Sequence, residues 1–277
     1  MRYIDSHMHF WDQDVLQPYT WLHEVPSISH RHDPATLHAE AGADLPEKIV
    51  FVECGAQPLK EVHWVEKLAA KEPRIRAIVA QVTVNAGPQT RADLAVLRNH
   101  PLVRSIRQNF QHDSVDYCAQ HAFIQGIHEV AAAGFHFDLC CLHPQLPSVI
   151  ELVRQCPEAT FILDHGGKPG IRAGLLDPWR EHIRQLAQFP NVVCKLSGLV
   201  TEADHQDWTE AQLQPYLAHL IDTFGPQRLL FGGDWPVAKL ACDYLRWLAI
   251  VRRATARLSA AEQSAIFTGN AERIYRI

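Results

Sequence analysis

Strand-like and helix-like segments alternate along this chain, and that alternation leaves few folds open to it. A short run from Tyr3 ends at two histidines, His7 and His9. Further runs that read as strands cover 49–54, 75–84, 103–107, 135–142, 160–164, 192–196 and 228–231. Between them, segments 59–70, 90–97, 119–133, 146–155, 178–188 and 210–224 carry apolar residues at helical spacing, and helical material resumes at 243. Gly134 stands where the helix 119–133 must stop, a position that favours glycine. Units of roughly thirty residues built this way give parallel strands covered by helices. Eight such units in 277 residues predict an α/β fold, a closed (β/α)8 TIM barrel, in preference to an open doubly wound sheet. No Gly-x-Gly-x-x-Gly follows the first strand, so a dinucleotide-binding fold has little support. No linker, repeat or low-complexity stretch interrupts the pattern, and residues 1–277 read as a single domain.

Composition narrows the partners. With 47% hydrophobic and 21% charged residues the chain can bury a large core. A net charge of -5 gives no basic footprint for nucleic acid or an acidic membrane. The seven cysteines are odd in number and scattered, without a Cys-x-x-Cys, and read as free thiols in a reducing compartment. No apolar run reaches the ~18 residues of a membrane span and no basic-then-apolar leader is visible, so a cytoplasmic location is expected. Of the 17 histidines, His23, His30, His32, His100 and His121 lie in polar surroundings and read as surface residues. Residues 11–46 read as a long irregular stretch; its Trp11, Tyr19 and Trp21 suit a lid or stacking wall, or a plug for one end of the barrel.

Barrel enzymes carry their chemistry at the C-terminal ends of the strands. There the sequence places His7 and His9 on strand one, Arg107 followed by Gln108 and Gln111 on strand four, and Asp164 with His165 on strand six. Strand seven adds Lys195 and Ser197, and strand eight ends at Gly232, Gly233, Asp234 and Trp235. Positions i and i+2 of a strand point the same way, so His7 and His9 leave the barrel side by side. Asp234 beside His7, His9 and His165 would stay ionised and could take a proton from water. The electrophile would be a carbonyl, polarised by a divalent ion on those four residues or by cationic side chains. Arg107 suits a carboxylate or several hydroxyls, and Lys195 a developing oxyanion. Gln111 adds a polar contact, Trp11 and Trp235 offer flat faces to a sugar ring, and Gly232 and Gly233 let the backbone turn beside substrate.

The segments around Ile4–Trp11, Leu163–Pro169, Cys194–Leu199, Phe224–Arg228 and Phe231–Val237 resemble the amidohydrolase superfamily, within it the sugar-lactonase branch, and most of all L-fuconolactonases and L-rhamnonolactonases. The resemblance runs nearly end to end, reaching Asn270–Tyr275. It implies a metal-dependent-hydrolase-like barrel that opens a sugar-acid lactone with water, with Asp234 as base and His7, His9 and His165 around the carbonyl. It implies zinc or another divalent ion on His7, His9, His165 and Asp234, or a metal-independent variant. Arg107 replaces the strand-four lysine or glutamate of two-metal relatives, which argues against a bridged pair of ions. His143, after strand five, reads as a loop residue, and its role stays open. Gly233 departs from the serine usual before that aspartate. A small-molecule lactone is the implied partner, without nucleic acid or membrane, and homo-oligomerisation is left open. Two alternatives stand beside this reading: a metal-dependent decarboxylase of the same superfamily, and a barrel that binds a sugar acid without catalysis.

Overall fold

The computed structural model describes residues 2–277. Strands β1 (Ile4–Met8), β2 (Lys48–Val52), β3 (Ile75–Gln81), β4 (Val103–Arg107), β5 (His136–Leu139), β6 (Phe161–Leu163), β7 (Val192–Leu196) and β8 (Leu229–Phe231) form one sheet in chain order, every ladder parallel. Helices α1 (Pro34–Ala41), α2 (Pro58–Ala69), α3 (Pro88–Leu97), α4 (His121–Ala132), α5 (Leu146–Gln155), α6 (Trp179–Ala187), α7 (Glu210–Phe224) and α8 (Tyr244–Ala254) connect and cover the strands, and α9 (Ala260–Ser264) and α10 (Asn270–Tyr275) complete the chain. This is the (β/α)8 barrel that the alternation predicts. Strands buried on both faces read as continuous apolar runs, which is why they stand out in the sequence. Several end earlier than their apolar runs do, because the chain leaves the ladder to build the loops that carry the polar side chains. Inside the barrel, Ile4, Val50, Val52, Ala77, Val79, Ile162, Val193 and Leu230 pack with Ala271, Ile274 and Tyr275 of α10.

The seam between β8 and β1 is made differently from the other seven. Ser6 Oγ donates to the Phe231 carbonyl (2.6 Å), the Asp234 N–H donates to the His7 carbonyl (2.8 Å), and the His9 N–H donates to the Trp235 carbonyl (2.7 Å). The Asp5 carboxylate reinforces it, accepting from the backbone N–H groups of His7 and Gly233, both at 2.9 Å, and from the Tyr244 hydroxyl at 2.8 Å. A buried carboxylate satisfied three times over thus ties the first strand to the turn after the last.

Residues 11–46 are more ordered than their composition predicts. They contain α1, capped by Asp33 with Pro34 at its first position, the Asp-Pro signature of a helix start. The rings of the segment form a plug and not an exposed wall. Trp11 is fully buried, its indole N–H shared between the carbonyls of Ile28 (3.1 Å) and His30 (2.9 Å), and Trp21 packs edge-on against it. His32, expected at the surface, is also buried, bridged to Trp11 through the backbone and set against the rings of Trp11 and Trp235.

Burial pushes the His32 imidazole down to about 4, only partly opposed by its Nδ1 contact with the His30 carbonyl, and its Nε2 has no partner. Between that value and the ordinary ~6.5 the unfolded chain binds the proton that the folded chain refuses, so stability falls as pH drops through this window. About 2–3 kcal/mol is expected to be lost between pH 7 and pH 4 through this one group. Urea unfolding at the two pH values checks this: His32→Phe should flatten that part of the slope, and an unchanged slope would assign it elsewhere.

Candidate active site

The C-terminal ends of β1, β6, β7 and β8 converge. His7 Nε2 and His9 Nε2 lie 3.1 Å apart, and Asp234 Oδ1 lies 3.7 Å from the first and 3.5 Å from the second. His165 packs against His7 with ring centroids 4.4 Å apart, and its Nδ1 is 2.9 Å from Ser197 Oγ. His9 Nδ1 sits 2.8 Å from the Val52 carbonyl, which only accepts, so that nitrogen carries the hydrogen and Nε2 presents a lone pair to the site. Burial works to raise the Asp234 carboxyl, but His165, His9 and His7 outweigh it and hold the group ionised, well below the usual carboxylate range. Burial also pushes His165 down to about 4 against the pull of Asp234, and keeps His7 neutral.

Beneath this cluster lies a dry ionic network. Lys195 Nζ donates to Asp138 Oδ2 (2.5 Å) and lies within ion-pair distance of Asp164 Oδ1 (2.9 Å) and 3.2 Å from His7 Nδ1. All four of these side chains are fully buried. Asp138 also accepts from Ser105 Oγ (2.5 Å) and from the Tyr275 hydroxyl (3.2 Å). Arg107 donates from Nε to Glu53 Oε1 (2.6 Å), from one terminal nitrogen to Asp164 Oδ2 (3.2 Å) and from the other to the Glu53 carbonyl (2.8 Å).

His7 Nδ1 stands 3.2 Å from both Lys195 Nζ and Asp164 Oδ1, and these contacts define two tautomers. With Nδ1 accepting from Lys195, Nε2 carries a hydrogen that points to His9 Nε2. With the hydrogen on Nδ1 beside Asp164 instead, both Nε2 atoms are free of hydrogen and stand with Asp234 Oδ1 around one position. Tetrahedral bonds of about 2.0–2.1 Å put ligand atoms about 3.3–3.4 Å apart, and the three separations here bracket that spacing. His7, His9 and Asp234 therefore fit a divalent ion, with His165 and Asp164 adjoining the same ring.

A family profile described as Amidohydrolase matches residues 4–277. The chain belongs to the amidohydrolase family. An L-fucono-1,5-lactonase of Burkholderia multivorans is 35% identical to it over 291 aligned positions, covering 99% of this chain and 96% of the relative. An L-fucono-1,5-lactonase of Burkholderia ambifaria is 31% identical, covering 99% and 95%. A crystal structure of a Burkholderia multivorans amidohydrolase with bound zinc superposes with a TM-score of 0.90 at 33% identity over the whole of both chains.

In this amidohydrolase the two strand-end carboxyl and imidazole carriers sit on unusual backbone. Asp234 (φ 52°) and His165 (φ 55°) are both left-handed, a conformation costing about 1–2 kcal/mol for a residue with a side chain. The Asp5 clamp fixes the first, and the Trp179 indole, donating to the Gly166 carbonyl at 2.8 Å, fixes the second. Gly232 and Gly233 turn beside protein, not substrate. A Cβ on Gly232 would lie 2.8 Å from His7 Cβ, and one on Gly233 would overlap the Tyr244 ring and Asp5 Oδ2. A serine before this aspartate would have to displace one of the two.

Gly198 is where the site itself demands glycine: φ is 58°, and a Cβ would overlap His165 Nδ1 and stand 2.8 Å from Asp234 Oδ2. Gly198→Ala is expected to cost about 1–2 kcal/mol of stability from backbone strain alone. Turnover should drop by about 10²-fold, the scale of a 1 Å misplacement. Thermal unfolding and steady-state kinetics together check it, and unchanged turnover would mean that His165 and Asp234 need not hold their present positions.

Other expectations fare differently. Lys195 lies fully buried against Asp138, Asp164 and His7. Trp235 is fully buried, with its indole N–H on Glu40 Oε2 (2.8 Å), and like Trp11 gives no open face. Arg107 is committed to Glu53 and Asp164. Gln111 lies half-buried on the loop after β4, its Oε1 3.8 Å from Cys140 Sγ. His143 opens the short turn after β5, its backbone N–H donating to the Lys168 carbonyl at 3.3 Å. Asp138 and Glu53 belong to the network and were not anticipated; a lone charge inside an apolar strand is the signal that marks Asp138.

Proposed function

We propose that this amidohydrolase hydrolyses a sugar-acid lactone to the free aldonic acid, with L-fucono-1,5-lactone as the first substrate to test. The reading rests on one observation: an ionised, buried Asp234 carboxylate 3.5–3.7 Å from two imidazole nitrogens at the strand ends, in a chain related over its length to two L-fucono-1,5-lactonases. Asp234 takes a proton from water as the water oxygen adds to the lactone carbonyl carbon. When the tetrahedral intermediate collapses, the ring C–O bond breaks and the ring oxygen leaves with the proton returned from Asp234. The acid product then ionises and releases one proton. His165, neutral and held by Ser197, lines the carbonyl position together with His7 and His9.

A divalent ion such as zinc would be held by His7, His9 and Asp234, and would supply Lewis-acid polarisation of the carbonyl. Cationic side chains that could grip a dicarboxylate are already paired: Arg107 with Glu53 and Asp164, and Lys168 with Glu202 at 2.9 Å. This favours a neutral polyhydroxy lactone over a pyrone dicarboxylate.

A pH-stat screen of aldonolactones tests the reading. Acid release from L-fucono-1,5-lactone or a close stereoisomer is expected; release from none of them, or carbon dioxide from an aromatic acid instead, would overturn it. Elemental analysis is expected to find about one divalent ion per chain, and chelation should lower turnover at least about tenfold, reversibly with zinc. Full activity in metal-free protein would remove the ion from the reading and leave carbonyl polarisation to the side chains alone.

A further inference from the structure

The opposite end of the barrel carries a second constellation that the lactone chemistry does not use. A cavity of about 380 Å³ opens where β4 begins and the chain enters β5, with Val103, Phe135 and Gly134 in its wall. Three arginines line it, Arg98, Arg104 and Arg276, and among the described residues no aspartate or glutamate does. The chain as a whole carries a net charge of -5, so three arginines lining one cavity run against its overall balance.

Arg104 is the informative member. It is half-buried at the start of β4, and its Nε is enclosed without any hydrogen-bond partner. An enclosed charged donor left unsatisfied is costly and calls for an explanation. The charge it feels most is that of another arginine: burial and then Arg276 lower its affinity for its proton. Arg276 is held close by a left-handed backbone (φ 55°) and by a bond from its guanidinium to the Gly134 carbonyl at 3.1 Å. His100 also borders the cavity, with its Nδ1 engaged by Glu66 at 3.0 Å.

We propose that this cavity is a binding site for a small phosphate-type oxyanion, free or carried by a phosphorylated metabolite, gripped by Arg98, Arg104 and Arg276. A volume of this size lies in the range of small-molecule sites, and planar guanidinium forks match the oxygens of phosphate in pairs. A bound oxyanion relieves the repulsion between Arg104 and Arg276, and a small shift of the Arg104 side chain would bring its enclosed Nε to the acceptor it lacks. The competing explanation is that arginines merely compensate helix ends, since Arg98 caps α3 and Arg276 bonds the turn after α4. That accounts for two of the three and leaves Arg104 Nε unexplained.

Calorimetric titration of the full-length protein with inorganic phosphate and with glucose 6-phosphate, at ionic strength fixed with sodium chloride, tests the proposal. Saturable binding is expected, equal in wild type and in Asp234→Asn, which separates this site from the catalytic one. Arg104→Gln should weaken it about tenfold or more, and the surface-exposed Arg98→Gln, which leaves the fold intact, should weaken it as well. Lactone turnover without phosphate should be unchanged in both variants. Preference for glucose 6-phosphate would point to a phosphorylated metabolite, and equal affinity to the free ion; either supports the site. No saturable heat from either probe, binding unaffected by both arginine changes, or a loss of melting temperature with no dependence on phosphate would overturn it.

Discussion

Asp234→Asn is expected to lower kcat for lactone hydrolysis by about 10³–10⁴-fold while leaving lactone affinity within about threefold. The amide keeps the size of the carboxylate. The backbone bond from residue 234 to the His7 carbonyl (2.8 Å) is untouched, so the turn after β8 should hold its shape. What is lost is a buried carboxylate placed to receive a proton, while burial disfavours proton uptake by His7 and His165. Steady-state kinetics with calorimetry on the slow variant separate the two effects. Turnover above a tenth of wild type would remove Asp234 from the role of base, and loss of binding with turnover would make it a substrate ligand instead.

The second large effect is on stability. Lys195→Met should destabilise the fold by about 3–5 kcal/mol, because it strips the shared cation from two buried carboxylates. Asp138 and Asp164 lie 2.5 and 2.9 Å from Lys195 Nζ, and both are fully buried. Burial and the charge of Asp164 raise Asp138 against the pull of Lys195, whereas Lys195 and His7 keep Asp164 ionised despite its burial. Adding Asp138→Asn to Lys195→Met should recover about half of the loss, which a double-mutant cycle by urea unfolding would read directly. A loss below about 1 kcal/mol in the single variant would mean that the carboxylates take up protons at little cost and that the network is not held by charge.

Most of the barrel was legible because parallel strands buried on both faces leave unbroken apolar runs, and because helices between them repeat at a different period. The residues at the strand ends were legible for the same reason: period-two alternation puts His7 and His9 together, and the strand ends place Asp234 and His165 on the same rim. What pairs with what was not legible. Arg107 and Lys195 read as hands for a substrate, yet Glu53, Asp138 and Asp164, supplied by three other strands, occupy them, and no local pattern announces partners 54 or 57 positions away. The aromatic rings of residues 11–46 were ambiguous between wall and plug because ring type alone does not say which side water is on. The short helix α1 was overlooked although Asp33 and Pro34 announce it, since its eight residues show little amphipathic pattern to support that signal.

The manner in which the barrel is sewn shut has a bearing on how the protein acquires activity. Asp5 meets Gly233 across 228 intervening steps of chain, and the hydrogen bonds made there orient the proposed proton acceptor. Contacts so remote in sequence form late, after local helices and neighbouring hairpin-free strand pairs have condensed. In refolding from denaturant, recovery of circular dichroism should therefore run ahead of recovery of turnover, and the lag between the two would time the moment at which the ring of strands meets itself.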